Sequence, residues 1–240
     1  MSLNILGKIF FVSLILSLSS CASKVVKSTE NADSQADWKP DPLKPPRVEI
    51  RGLTPGVVYS ENSKIGGKIS VENFPLKSGF KGVIFLNGEA LADIENPTQD
   101  FEIEQGLREG ANSLSVVLIG PQRQTLKNPE AVQAIEFYYK KKIDALSEGA
   151  GVLTLVSPRG IYKGDAALEI PIDFVSTSKA SVLRVYYSLN GEIRELSGSG
   201  PFYFRNLPPA LYKLKIWEVD KNGKKVGGLL SEISTEFKVE

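Results

Sequence analysis

Residues 83–89 read Val-Ile-Phe-Leu-Asn-Gly-Glu, and residues 186–192 read Tyr-Tyr-Ser-Leu-Asn-Gly-Glu. In each stretch a strand-like run feeds an Asn-Gly pair. Asn and Gly accept the positive φ that both centres of a type I′ turn require, and the twist of that turn suits a tight hairpin. Leu86 and Leu189 end the incoming strand on its inward face. Leu-Asn-Gly-Glu recurs at a spacing of 103 residues, and the spacing extends beyond the motif: Pro55 aligns with Pro158, Tyr59 with Tyr162 and Ile69 with Ile172. Further along, the offset shortens to 100 or 101. Phe101 then aligns with Phe202, Leu107 with Leu207, Leu114 with Leu214, Val116 with Ile216 and Phe137 with Phe237. A drift this small over a whole domain amounts to a few loop deletions, so the chain reads as two copies of one module.

Outward from the motif, short apolar-alternating runs are separated by turn residues. The expected strands of the first copy are Val48–Arg51, Lys68–Phe74, Gly82–Leu86, Phe101–Glu104, Ser113–Ile119 and Ala134–Lys140. Those of the second are Leu153–Val156, Leu168–Val175, Val182–Leu189, Phe202–Arg205, Tyr212–Val219 and Ile233–Val239. Leu114, Val116 and Leu118 alternate at period two, as do Leu214 and Ile216, so one face of each strand enters a core. Only Pro129–Ala134 suggests a helical turn. Strands at this spacing, with no sustained 3.6-residue period, predict an all-β sandwich.

The order of features narrows this further. A strand runs into Leu86-Asn87-Gly88, a Phe-containing strand follows, and Leu107, Gly110, Asn112 and Leu114 form an L-x-x-G-x-N-x-L element before the next strand. This resembles bacterial immunoglobulin-like modules of the type found beside glycosidase catalytic domains and in envelope proteins. The second copy departs from the element, with Ala210 and Tyr212 where Gly110 and Asn112 stand. The resemblance implies two tandem immunoglobulin-like β-sandwiches, residues 47–142 and 152–240, and says little about activity. The modules are expected to fold separately. The linker, residues 143–151, carries Gly149 and Gly151 and would permit some hinge motion.

The N-terminus reads as an address. Lys8 precedes an apolar run of ten residues, Ile9–Leu18, broken only by Ser13 and Ser17. Ten residues span ~15 Å as a helix, short of a ~30 Å hydrocarbon core, so residues 1–20 are expected to be a signal peptide. Leu18-Ser19-Ser20-Cys21 resembles the lipobox of bacterial lipoproteins, with an ordinary secretory signal as the alternative. The resemblance implies cleavage before Cys21, a diacylglycerol thioether on its sulfur and acylation of the new amine. Two or more acyl chains anchor stably. Ala22 and Ser23, rather than Asp, follow the cysteine, which by the family's sorting rule favours the outer membrane. Residues 21–46 are polar, with four prolines from Pro40 to Pro46, and are expected to be a disordered tether stiffening toward polyproline II.

Composition narrows the chemistry. Of 240 residues, 42% are apolar, enough for a real core, and 24% are charged. Lys plus Arg number 29 against 28 Asp plus Glu, which gives no electrostatic case for nucleic acid. There is no histidine and only one cysteine, which excludes His-dependent triads, His-ligated metals and intramolecular disulfides. Asp93, Glu95, Asp100, Glu102 and Glu104 cluster in sequence, but on a strand Glu102 and Glu104 share the solvated face. No calcium-type D-x-D-x-D run and no P-loop spacing occurs. The expectation is a non-enzymatic protein without a cofactor.

Two functional readings remain. One is a membrane-tethered structural or protein-interaction arm. The other is an adhesion or carbohydrate-binding lipoprotein that uses Trp217, Tyr186 and Tyr203 against sugar rings. Strand alternation predicts one surface in particular. With Leu114, Val116 and Leu118 inward, Val83, Phe85, Val117, Ile119 and Tyr138 turn outward on adjacent strands of the first module. Tyr186 and Trp217 are their counterparts in the second, diluted by Arg184 and Lys215. Such a face either meets a protein partner or a second copy, or is covered by the Gly120–Glu130 loop or the tether.

Overall fold

Side chains that alternate between the two faces of each strand make each half of the chain a pair of facing sheets in this computed structural model. It describes residues 38–121, 124–126, 128–143, 151–178, 184–196, 201–226 and 230–240. In the first module β1 (Arg47–Arg51), β3 (Gly66–Glu72) and β6 (Thr98–Glu102) form an antiparallel sheet in the order β1-β3-β6. Its second sheet contains β2 (Val58–Tyr59), β4 (Lys81–Leu86), β5 (Glu89–Ile94), β7 (Gly110–Ile119) and β8 (Val132–Tyr139), in the order β2-β8-β7-β4-β5.

The second module repeats this strand for strand. One sheet is β9 (Leu153–Ser157), β11 (Glu169–Ser176) and β14 (Phe202–Arg205), with β11 central. The other is built from β10 (Gly160–Tyr162), β12 (Arg184–Leu189), β13 (Glu192–Leu196), β15 (Ala210–Val219) and β16 (Glu232–Val239), in the order β10-β16-β15-β12-β13. In both copies the first short strand pairs parallel with the last. The chain is two tandem immunoglobulin-like sandwiches.

Each module has its own core. Ile69, Leu114, Val116, Leu118 and Phe137 are fully buried in the first, and Leu155, Ile170, Leu214, Ile216 and Phe237 in the second. Phe237 anchors an aromatic cluster, its ring 5.3 Å from Tyr212, 5.9 Å from Phe204 and 6.0 Å from Tyr162.

The paired hairpins have the φ signature read from Asn-Gly: Asn87 +52° and Gly88 +83°, Asn190 +49° and Gly191 +93°. Both asparagines do a second job. Asn87 Oδ1 accepts from Ser113 N–H at 3.0 Å, and Asn190 Oδ1 accepts from Lys213 N–H at 2.8 Å. Each turn is thereby fastened to the neighbouring strand.

The departure of the second copy from L-x-x-G-x-N is a substitution of means. Asn112 Nδ2 donates to Arg108 O at 2.7 Å, four residues upstream. At the matching position Tyr212 O–H donates to Pro208 O at 2.9 Å, also four residues upstream. Both side chains pin the crossover loop to the start of its strand, and the tyrosine version is a recurrent device of this fold. Tyr212→Phe removes one hydrogen bond and is expected to lower stability by about 0.5–1.5 kcal/mol. Denaturant titration reads this directly, and an unchanged midpoint would make the bond dispensable.

Four strands escaped the sequence reading: β2, β5, β10 and β13. β2 and β10 are too short to show a period. β5 and β13 are exposed edge strands whose side chains do not alternate in burial. The expected helical turn at Pro129–Ala134 is a 3-10 turn over Pro129–Ala131, and a second such turn covers Gly164–Ala167.

The tether expectation needs correction at its end. Residues 1–37 lie outside the described part, including Cys21, but Trp38, Pro45 and Pro46 contact the first module, while residues 39–44 between them are exposed. The Trp38 ring sits 5.6 Å from Phe74 and 5.1 Å from Phe80. Asn73 Nδ2 donates to Pro45 O at 3.3 Å and Asn128 Nδ2 to Pro46 O at 2.8 Å. A large indole with two phenyl rings to cover outweighs the extended preference of the prolines around it.

Candidate functional site: the joint between the modules

Along β4 and β7 the core takes Ile84, Leu86, Leu114, Val116 and Leu118. Val83, Phe85, Val117 and Ile119 therefore point to the opposite face, as alternation requires. That face is not open. All four are buried, Phe85 at 2% exposure and Val117 at 0%. They form one apolar cluster with Val175 of the second module, with Val132 and Val156 partly buried against it. Among the described residues, Thr125 of the Gly120–Glu130 loop meets the second module at the edge of this patch, and the patch itself is covered from the second module by Val156 and Val175. These two stand on the outer face of the β9-β11-β14 sheet. Tyr138 is also buried, with Lys142 Nζ 5.4 Å above its ring.

Polar contacts frame the apolar patch. Arg159 follows β9 and reaches back to the Leu86-Asn87-Gly88-Glu89 hairpin. Its Nη1 donates to Glu89 Oε2 at 3.0 Å, its Nη2 donates to Gly88 O, and its guanidinium lies 5.4 Å over the Phe85 ring. Its Nε and Nη2 also donate to Leu155 O at 3.1 and 2.8 Å, which holds the fork in position. Bidentate geometry of this kind suits arginine rather than lysine. At the other end of the patch, Asp173 of β11 accepts from Thr125 N–H at 2.6 Å and Thr125 Oγ1–H at 3.0 Å. Between them Thr154 Oγ1 donates to Ser115 Oγ at 2.9 Å, both residues buried. A cleft of about 220 Å³ runs beside the joint, lined by Asn87, Glu89 and Arg108 on one side and Leu153, Glu232 and Ile233 on the other. It falls below the ~300 Å³ at which small-molecule sites usually begin.

The joint makes both sandwiches parts of one compact unit, Asp37–Glu240. The linker expected to hinge, residues 143–151, lies mostly outside the described residues. The sequence reading missed Arg159, Asp173, Thr125, Thr154 and Ser115. One signal was present. Pro55 aligns with Pro158, so Arg159 stands where the first copy has Gly56, a large cationic side chain in place of none.

Tyr186 and Trp217 are register partners on β12 and β15, in the positions that Val83 and Val117 hold in the first module. Their rings lie 6.2 Å apart and 19° from parallel. Both are half-buried within an ionic lattice rather than under a module. Lys225 Nζ sits 6.0 Å from the Trp217 ring, Lys215 and Lys225 both pair with Glu232, and Arg184 pairs with Glu195 at 3.8 Å. Tyr186 O–H donates to Glu195 Oε2 at 2.9 Å, which holds its phenol above the usual range. Tyr203 lies on the other sheet with Arg205 over its ring, so it does not join this pair. Three of the five clustered carboxylates of the first module are used in exposed ion pairs: Asp93 with Lys81, Asp100 with Lys68, Glu102 with Lys64. Among the described residues no group of three or more metal-ligating side chains converges, and no helix is long and apolar enough to cross a membrane.

No protein-family model and no curated protein matches the chain. Among solved structures it is similar to the fibronectin(III)-like modules of Clostridium thermocellum CbhA, at 15% identity and TM-score 0.29, covering 80% of this chain and 94% of that one. It is also similar to the central fibronectin-III array of RIM-binding protein, at 12% identity and TM-score 0.27, covering 81% and 68%. A third likeness is to the two tandem V-type regions of a v-region-containing chitin binding protein, at 8% identity and TM-score 0.28, covering 81% and 99%. Similarity at this level sets no function.

Proposed function

We infer that this chain is a non-enzymatic envelope lipoprotein whose two sandwiches act as a single stiff arm for spacing or protein interaction. Cys21 carries the lipid, and the segment after it links the anchor to the arm at the outer membrane. The observation that supports the arm is the joint, where a buried apolar patch is closed at both ends by hydrogen-bonded charged groups. Flexible tandem modules do not need such a contact, because inter-domain motion is the default without it. Spin labels on β5 and β13 of the full-length chain should give one narrow distance distribution, and a broad one would sink the arm. Cys21→Ser should move the protein from the detergent phase to the aqueous phase, or arrest it as a precursor. Normal processing with unchanged partitioning would count against the lipid.

A second reading is a carbohydrate-binding lipoprotein. The near-parallel Tyr186–Trp217 pair favours it, since adjacent flat rings can stack on a sugar. Quenching of Trp217 fluorescence by soluble cell-wall oligosaccharides, lost in Tyr186→Ala, is its test.

A further inference from the structure

Strand β15 brings a carboxylate to a place where the repeat has an apolar side chain. The offset of 100 that aligns Leu114 with Leu214 and Val116 with Ile216 aligns Leu118 with Glu218. Leu118 is a fully buried member of the first core. Glu218 is equally buried, at 0% exposure, and alternation turns it inward with Tyr212, Leu214 and Ile216. Neither carboxylate oxygen makes a hydrogen bond of normal geometry, and the Ser176 hydroxyl lies near enough to act on it only weakly. Burial pushes its carboxyl above the usual range, and the Ser176 side chain of β11 opposes that only in part.

The charged groups on the elements around Glu218 are engaged elsewhere. Arg184 of β12 pairs with Glu195. Lys215 of β15 and Lys225 pair with Glu232 of β16 on the outer face. Asp220 accepts from the N–H groups of Asn222 and Lys224. Asp173 of β11 binds Thr125. No described cation is positioned to hold an ionised Glu218 inside the sandwich.

Glu218 is also mechanically connected to the joint. Ser176, the group nearest in effect, is the strand neighbour of Val175, which seats on the first module. Glu218 N–H donates to Ser231 O at 3.3 Å, and Leu153 N–H to the adjacent Leu230 O at 2.8 Å, so β15 and β9 hang on the same short segment.

We propose that Glu218 is a proton-dependent latch on the joint: as the neutral acid it completes the core behind β9 and β11, and its ionisation loosens those strands and the seat of Val156, Val175 and Asp173 on the first module. This rests on the reading of the two modules as one arm. The folded state holds the proton more tightly than the unfolded chain does. The stabilisation is therefore complete below the ordinary carboxylate value, 4.5, and is lost as pH rises through the raised folded value. The chain has no histidine, so no imidazole obscures this window. Glu136 of β8 is also pushed up by burial, so a variant must separate the two.

The test is amide hydrogen exchange on the full-length chain in detergent from about pH 5 to about pH 8, corrected for intrinsic exchange. The probes are the Thr125 amide, whose N–H is held by Asp173 across the joint, and the amides of β9 and β11. In the native protein their protection should fall roughly tenfold or more across the range, the equivalent of one pK unit. Glu218→Gln should flatten that profile, and Glu218→Leu, which matches Leu118, should stay protected throughout. Leu118→Glu should introduce the same pH trend into the first module. A native profile independent of pH, or one unchanged in Glu218→Gln, overturns the latch. If the Thr125 amide exchanges freely at every pH, the joint itself fails, and the arm with it.

Discussion

Phe85→Lys is expected to undock the two modules while each sandwich stays folded. Phe85 is 2% exposed, but it belongs to the inter-module cluster and not to either module core. Truncating a buried phenylalanine typically costs about 3–5 kcal/mol. Lysine adds a cation beneath Arg159, whose guanidinium now rests 5.4 Å from the ring and whose carboxylate partner is Glu89. An unpaired buried charge next to another cation is worse than a cavity. Calorimetry should show one cooperative transition become two, because each module keeps its own core. A single transition at an unchanged temperature would mean that Phe85 is not packed at the joint.

Asn112→Ala is expected to be the most damaging polar substitution in the first module, by about 2–4 kcal/mol, given ~1–3 kcal/mol for each buried group left without a partner. Asn112 is fully buried. Its Oδ1 accepts from Arg108 N–H at 2.8 Å and from Asn87 Nδ2 at 2.9 Å, and its Nδ2 donates to Arg108 O and Gly110 O. Alanine leaves several of these stranded at once, whereas Tyr212→Phe strands one. Asn87 belongs to the hairpin whose Gly88 carbonyl receives Arg159, so the loss should reach the joint. Urea titration gives the stability, and the spin-label distance distribution gives the joint. If the two substitutions cost the same, the network around Asn112 contributes no more than a single bond.

The hairpins were legible because a type I′ turn is a local demand: two adjacent residues with positive φ leave few choices besides Asn-Gly. The core faces were legible because period-two alternation is a property of the strand. The edge strands β5 and β13 were not, since a half-solvated edge imposes no pattern on its side chains. The substitution of Tyr212 for Asn112 looked like decay of a motif. From sequence it could not be seen that an amide and a phenol reach the same carbonyl position four residues upstream.

The sequence by itself determined the all-β class, the two copies, their turn residues and the outward direction of Val83, Phe85, Val117 and Ile119. Each of these follows from interactions within a few residues or from a strand's own geometry. Only the tertiary structure decided what lies against that outward face. Alternation says which way a side chain points, not what meets it. The answer depends on Val156, Arg159, Asp173 and Val175, residues that are remote in sequence and have no counterpart role in the other copy. The same limit explains Glu218. As a letter in the sequence it is one more acidic residue on a strand, and only its inward place, where the first copy has Leu118, makes it a buried carboxylate with no well-formed hydrogen bond.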